Sequence, residues 1–327
     1  MKKVAIIGSG SWGVALAVHL AKLGNEIKIW SFMQEEADLI NKERKCKFLP
    51  GIEISENIMC TTSYKEALED TDFVLHVTPS NFTRNILKEY KQYLTDQPVI
   101  ICSKGFEEET LNTLDEVFKQ EVPNTKIGVL TGPSHAEEVA LFMPTLLVVA
   151  SKYEEISNTI QNTFMCDTMR VYTSTDVKGV EIGGALKNII AFCAGAAAGI
   201  GLKDNSFAAL VTRGMAEIVR LGVKLGGQYE TFYGLSGLGD LIVTCMSEHS
   251  RNRKAGKLIG QGVSLEEAKK QVEMTIESID NIDVAYKLSK IHDVEMPIVT
   301  TVYDVLYNNL KPEEALKILM TRTKKSE

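Results

Sequence analysis

The stretch Val4-Ala-Ile-Ile-Gly8-Ser-Gly10-Ser-Trp-Gly13 constrains the fold most: an apolar run meets three glycines spaced G-x-G-x-x-G, and an Ala/Leu-rich segment follows. In a strand–turn–helix of this kind the first glycine permits the tight turn and the second lets a phosphate approach the backbone. The third lets the helix pack closely on the strand. The helix N-terminus then offers free N–H groups and partial positive charge to a dinucleotide pyrophosphate. Lys2-Lys3 before an apolar run superficially suggests a signal peptide, but the glycines and the polar Ser9 and Ser11 interrupt that run, so a strand, turn and helix are expected.

Further β-rich apolar runs recur at Glu26–Trp30, Phe73–Val77, Val99–Cys102, Ile127–Leu130 and Leu146–Val149. Helical spacing separates them over Val14–Leu23, Thr83–Leu94, Ser134–Phe142 and Glu154–Phe164. Apolar strands alternating with helices predict an α/β fold, a Rossmann-like doubly wound parallel sheet. From about Val177 the pattern becomes purely helical, with candidate helices over Gly179–Gly199, Phe207–Leu225, Asn252–Gly260, Ser264–Lys269, Ile279–Lys290, Ile298–Tyr307 and Pro312–Met320. The expected organisation is a dinucleotide-binding domain over 1–178 and an all-helical substrate-binding domain over 179–327. Ser264-Leu-Glu-Glu267 has the form of a capping box.

A 327-residue chain exceeds the size at which one core stops growing, which agrees with two domains. With 36 Lys plus Arg against 43 Asp plus Glu, and no basic block before Lys324-Lys325, nucleic acid is not an expected partner. Six scattered cysteines without a CxxC pair or a His at zinc spacing read as reduced, mostly buried thiols; no metal site is expected, and the expected compartment is the cytoplasm. The apolar stretch Ile189–Leu202, rich in Ala and Gly, reads as a packed core helix too short to span a bilayer.

The residue that most demands a chemical reason is Lys187, an ammonium among Ile182, Ala185, Leu186, Ile189 and Ile190. Such a lysine snorkels, pairs with a carboxylate, or lines a cavity where its proton is used. Ser103-Lys104-Gly105 follows the fourth apolar run, at the strand end where open α/β sheets bind ligands. Gly132-Pro-Ser134 offers a hydroxyl that either caps the next helix or meets a ligand. Gly237-Leu-Gly239-Asp240, Thr244 and Ser250-Arg251-Asn252 gather a carboxylate, hydroxyls and a guanidinium suited to a dianionic phosphate. Glu277 is placed either to bond a cofactor or to cap a helix. The five histidines show no ligand spacing. After the second strand come Phe32, Met33 and Gln34, with Glu35 and Glu36 late for the usual ribose acid and no Arg, so NAD and NADP both stay open.

Taken in order, Gly8–Gly13, Ser103–Gly105, Gly132-Pro-Ser-His-Ala-Glu-Glu-Val139, Gly184-Ala-Leu-Lys-Asn188, Thr212-Arg-Gly214, Gly237–Asp240 and Ser250–Asn252 resemble the NAD(P)-dependent glycerol-3-phosphate dehydrogenases of the bacterial type, from Lys3 to about Pro312. The resemblance implies reversible hydride transfer between NAD(P)H and dihydroxyacetone phosphate, giving sn-glycerol 3-phosphate for phospholipid synthesis, in a homodimer. It makes Lys187 the proton donor and acceptor, with Asp240 beside it as a catalytic residue. Substrate positions become Lys104, Gly132, Ser134, Lys187, Asn188, Asp240, Thr244, Ser250, Arg251 and Asn252. Cofactor positions become Gly8, Gly10, Ser11, Trp12, Gly13, Phe32, Lys104, Ala136, Arg251 and Glu277. Phe32 departs from the pattern, standing where many members carry Arg or His. Two other readings of the residues are a hydroxyacyl-CoA or sugar-acid dehydrogenase and a nucleotide sensor without chemistry.

Overall fold

The computed structural model describes residues 1–272 and 275–324; Met274, next to the Glu277 segment, and Lys325 lie outside them. The chain divides into two compact units, residues 1–107 with 112–181, and residues 108–111 with 182–327.

The first unit is an α/β layer structure around eight strands: β1 (Lys3–Ile7), β2 (Glu26–Trp30), β3 (Ile58–Thr61), β4 (Phe73–His76), β5 (Val99–Ile101), β6 (Ile127–Thr131), β7 (Thr145–Ser151) and β8 (Met169–Ser174). Their spatial order is β3-β2-β1-β4-β5-β6-β7-β8. Its helices are α1 (Ser11–Lys22), α2 (Gln34–Asp38), α3 (Tyr64–Leu68), α4 (Thr83–Tyr90), α5 (Leu114–Glu121), α6 (Ala136–Ala140) and α7 (Glu154–Phe164), with the N-terminal end of α8 (Val177–Gly199). Alternate residues of β1 enter different cores: Val4 and Ile6 join one apolar cluster, Ala5 and Ile7 another. Both faces are therefore covered, as a doubly wound sheet requires.

Three features depart from the sequence expectation. The sheet is not wholly parallel, because β6 and β7 pair antiparallel. The five residues of α6 climb only about 7.5 Å, too little to carry the chain back along the sheet, so β7 enters from the end where β6 finished. β3 and β8 had no clear apolar run because they are the edge strands, and their exposed positions interrupt it. Ser134 does not cap a helix: α6 starts at Ala136, and the Ser134 hydroxyl donates to the Gly132 carbonyl at 3.0 Å.

The second unit contains no strand among the described residues. After α8 come α9 (Asp204–Lys224), α10 (Tyr229–Phe232), α11 (Asp240–Met246), α12 (Arg251–Gly260), α13 (Leu265–Val272), α14 (Glu277–Ile291), α15 (Pro297–Tyr307) and α16 (Pro312–Met320). At 23 residues α8 is long and apolar enough to cross a membrane, contrary to the shorter stretch read from sequence, yet 78% of its most apolar window is buried inside the protein. At α13 the Ser264 hydroxyl accepts from the Glu267 N–H at 3.3 Å, the forward bond of the expected capping box.

Candidate active site

In the first unit the glycine loop joins β1 to α1. β1 lies between β2 and β4, so the connections leave it in opposite directions and open the switch-point crevice at its carboxyl end. Gly8 has φ +127°, and a Cβ there would sit 2.7 Å from the Val77 carbonyl oxygen beyond β4; one on Gly13 would sit 2.1 Å from the Gly8 carbonyl. A Cβ on Gly10 would meet nothing within 4 Å, so the outer side of the loop is open. No side chain caps α1, which begins at Ser11 after Gly10, and its first N–H groups are left for an acceptor from outside. The buried Trp12 Nε1 has no hydrogen-bond partner among the described residues. An open glycine cradle, an uncapped helix and an orphaned indole N–H fit a dinucleotide.

At the ends of β5 and β6 three anticipated residues meet on one atom. Lys104 Nζ donates to the Gly132 carbonyl at 3.3 Å, and Ser134 Oγ donates to the same oxygen at 3.0 Å. Ala136 begins α6 and is buried. Phe32, beyond the end of β2, is 80% exposed and stands edge-on to Trp30 with ring centroids 6.5 Å apart.

In the helical unit Lys187 does not snorkel; it is only 5% exposed, on α8. Its Nζ donates to Asp240 Oδ1 at 2.8 Å and to Thr244 Oγ1 at 2.6 Å. Gly237–Gly239 lie in a π-helical turn that runs directly into α11, so Asp240 and Thr244 stand one turn apart on the same helix face. The Thr244 hydroxyl donates back to the Asp240 carbonyl at 2.6 Å, which commits its hydrogen and turns its lone pairs to the ammonium. Asn188, also buried, donates from Nδ2 to Glu277 Oε2 at 2.8 Å, at the first residue of α14.

Ser250 is the N-cap of α12, its Oγ accepting from the Arg253 N–H at 3.2 Å. Asn252 Oδ1 accepts from the Ser278 N–H at 3.0 Å. The half-buried Arg251 makes no hydrogen bond or ion pair among the described residues, which leaves a guanidinium at a helix N-terminus, both attractive to a dianion. From Arg253 to Gly260, α12 packs backbone to backbone on α8. A Cβ on Gly256 would fall 1.9 Å from the Phe192 carbonyl oxygen, and one on Gly195 would fall 2.0 Å from that of Arg253. Only glycines allow this approach, and it fixes the Arg251 end of α12 against the helix carrying Lys187.

The histidines and thiols nearby serve the core. Burial holds His76 down to about 3, and it packs among Thr78, Thr83 and Tyr90; His19 Nε2 donates to the Phe164 carbonyl at 2.8 Å. Burial pushes the Cys245 thiol up to about 12, so it stays protonated, although Lys187 pulls the other way. All six cysteines are free. No group of three or more His, Cys, Asp or Glu residues that could hold a metal occurs among the described residues.

One contributor was missed from sequence, and for another, Glu36, the partners were not visible there. Asn281 Nδ2 donates to the Ala185 carbonyl at 3.1 Å, tying α14 to the turn that precedes Lys187; an Asn inside an apolar helix was the available signal. Glu36 accepts from Ser9 and Ser31, an arrangement visible only once β1 and β2 are paired in register.

Residues 3–157 match the family model described as the NAD-dependent glycerol-3-phosphate dehydrogenase N-terminus, and residues 176–317 match the corresponding C-terminus. A glycerol-3-phosphate dehydrogenase [NAD(P)+] of Fusobacterium nucleatum is 48% identical, with 100% of this chain and 99% of that protein covered. One from Agathobacter rectalis is 44% identical over 100% and 98%. The crystal structure of glycerol-3-phosphate dehydrogenase from Coxiella burnetii superposes with a TM-score of 0.95 at 34% identity, covering 98% of this chain and 99% of that one. The chain belongs to the NAD-dependent glycerol-3-phosphate dehydrogenase family.

Proposed function

We propose that this chain catalyses the reversible, NAD(P)H-dependent reduction of dihydroxyacetone phosphate to sn-glycerol 3-phosphate, the backbone of phospholipids, acting as a cytoplasmic homodimer. The observation that carries the reading is the buried Lys187–Asp240–Thr244 cluster, with family membership behind it. Residues 1–178 are assigned to the dinucleotide and 179–327 to the substrate. Gly8, Gly10, Ser11, Trp12 and Gly13 would hold the pyrophosphate, with Phe32, Lys104, Ala136, Arg251 and Glu277 as further cofactor contacts. When bound, the nicotinamide supplies the hydride and takes it back in the reverse direction.

The protein's own part is proton handling and positioning. Reduction of a ketone leaves charge on its oxygen, and Lys187, an ammonium 7% exposed at its side chain, both stabilises that charge and gives up a proton. Asp240 and Thr244 hold Nζ in place, and the Asp240 carboxylate favours the protonated amine from which the reaction starts. Arg251, Ser250 and Asn252 are assigned to the phosphate, so that binding energy far from the reacting carbon orients it. Lys104, Gly132, Ser134 and Asn188 complete the assigned substrate contacts.

Initial rates of dihydroxyacetone phosphate reduction test the proposal. Lys187→Ala is expected to lower kcat by about a thousandfold while nucleotide affinity, read by fluorescence titration, is retained. Near-normal kcat in that variant removes Lys187 from the chemistry, and wild-type protein that binds nucleotide without turning over any keto phosphate is a sensor instead.

A further inference from the structure

The carboxyl end of β2 carries a feature that the cofactor assignment does not use. Register pairs Ile7 with Trp30, so the residues following each strand lie side by side, and Ser9 of the glycine loop meets Ser31. Their hydroxyls are 2.8 Å apart, and both reach Glu36 Oε2, at 2.5 and 2.9 Å. Ser9 and Ser31 are buried, which anchors a carboxylate beside the glycine loop where a dinucleotide fold reads the adenosine ribose. It arrives from the first turns of α2 rather than from the strand end, which is why its sequence spacing looks late.

No Lys or Arg pairs with it among the described residues. Residues 31–41 contain no Lys or Arg. Lys42 pairs with Asp38 at 3.0 Å, Lys45 with Glu43 at 3.6 Å, and Arg44 donates to the carbonyls of Ser55 and Ile58. Lys28, on β2 itself, donates to the Glu69 carbonyl at 2.6 Å. Where a 2'-phosphate needs a guanidinium, this edge offers Glu35 and Glu36 with an exposed apolar pair, Phe32 and Met33. A carboxylate accepts hydrogen bonds from ribose hydroxyls and repels a phosphate dianion, while a flat exposed ring suits an adenine face.

We propose that Glu36 makes this protein selective for the cofactor without a 2'-phosphate, NAD(H), with Phe32 as an adenine platform indifferent to that phosphate. The inference rests on the dinucleotide reading above and deepens it. The test is direct binding to the full-length protein, followed through its two tryptophans, Trp12 and Trp30, both near the assigned site. NADH and NADPH are titrated, with 5'-ADP and 2',5'-ADP as probes lacking nicotinamide. NADH should bind at least about tenfold more tightly than NADPH, and 5'-ADP more tightly than 2',5'-ADP by a similar factor. Glu36→Gln keeps an acceptor for both serines and should bring the two nucleotides within about threefold by tightening NADPH. Phe32→Arg, at an exposed position that folding tolerates, should likewise favour NADPH, whereas Phe32→Ser should weaken both equally. Equal or tighter NADPH binding by the wild type, or an unchanged ratio in Glu36→Gln, overturns the selectivity and leaves the dinucleotide site standing. Failure of all four nucleotides to bind overturns both.

Discussion

Arg251 and Lys187 illustrate opposite ways of keeping a cation in a folded protein. Lys187 is buried and its charge is matched by Asp240 at 2.8 Å, whereas Arg251 is half-buried at the start of α12 and has no carboxylate partner among the described residues. An unmatched guanidinium beside helix N–H groups is useful mainly to an incoming anion. Arg251→Ala is therefore expected to raise the KM for dihydroxyacetone phosphate by about a hundredfold, with Arg251→Lys recovering part of the loss because it keeps the charge without the fork. Steady-state kinetics check this; an unchanged KM would move the phosphate elsewhere. At this scale the sequence was informative wherever a polar group sat in apolar surroundings, as Lys187 does. It showed Glu36 only as an acid placed late after β2, because its anchoring comes from two serines that lie 22 residues apart in the chain and are neighbours only across the β1–β2 pair.

Among the elements, the α8–α12 contact transmits position most directly. Gly256→Ala would press a methyl carbon against the Phe192 carbonyl, 1.9 Å away, and the helices must separate to admit it. Overpacking of this kind costs about 3 kcal/mol. The expected signature is a lowered Tm together with a loss of kcat/KM, although residue 256 touches neither the Lys187 cluster nor Arg251 in any contact described above. A second element-level prediction concerns α9 and α15. Glu217 accepts from the N–H groups of Ile298 and Val299, at 2.7 and 3.2 Å, capping α15 from a buried position. Burial raises its carboxyl from an ordinary 4.5 to about 7, against the pull of those two N–H groups. Between these values the native protein holds a proton that the unfolded chain has released, so stability falls as pH rises through that window. Glu217→Gln cannot titrate, and urea unfolding at pH 4.5 and pH 7 should show the wild type losing on the order of 3 kcal/mol relative to the variant; parallel pH dependences would show that Glu217 ionises without strain. Helices were legible where periodicity was long, as in α7 and α16, and illegible where short, as in α10 and α11, since four to seven residues give too few turns to repeat a pattern.

For the whole molecule, the α/β-then-helical order was readable because a change of periodicity survives even when individual boundaries do not. The antiparallel β6–β7 pair was not, because it depends on the length of α6, and edge strands β3 and β8 escaped notice for want of a second buried face. The proposed homodimer is checked by light scattering, which should return twice the monomer mass at micromolar concentration; a monomeric mass at every concentration that supports activity refutes it. The placement of residues 108–111 with 182–327 has a practical corollary for anyone dissecting this enzyme. A gene fragment ending at codon 181 separates four amino acids from the residues they group with, and the complementary fragment lacks them. A single cut yields neither grouping: the first half needs that small insert excised and its ends rejoined, and the second needs it spliced ahead of residue 182.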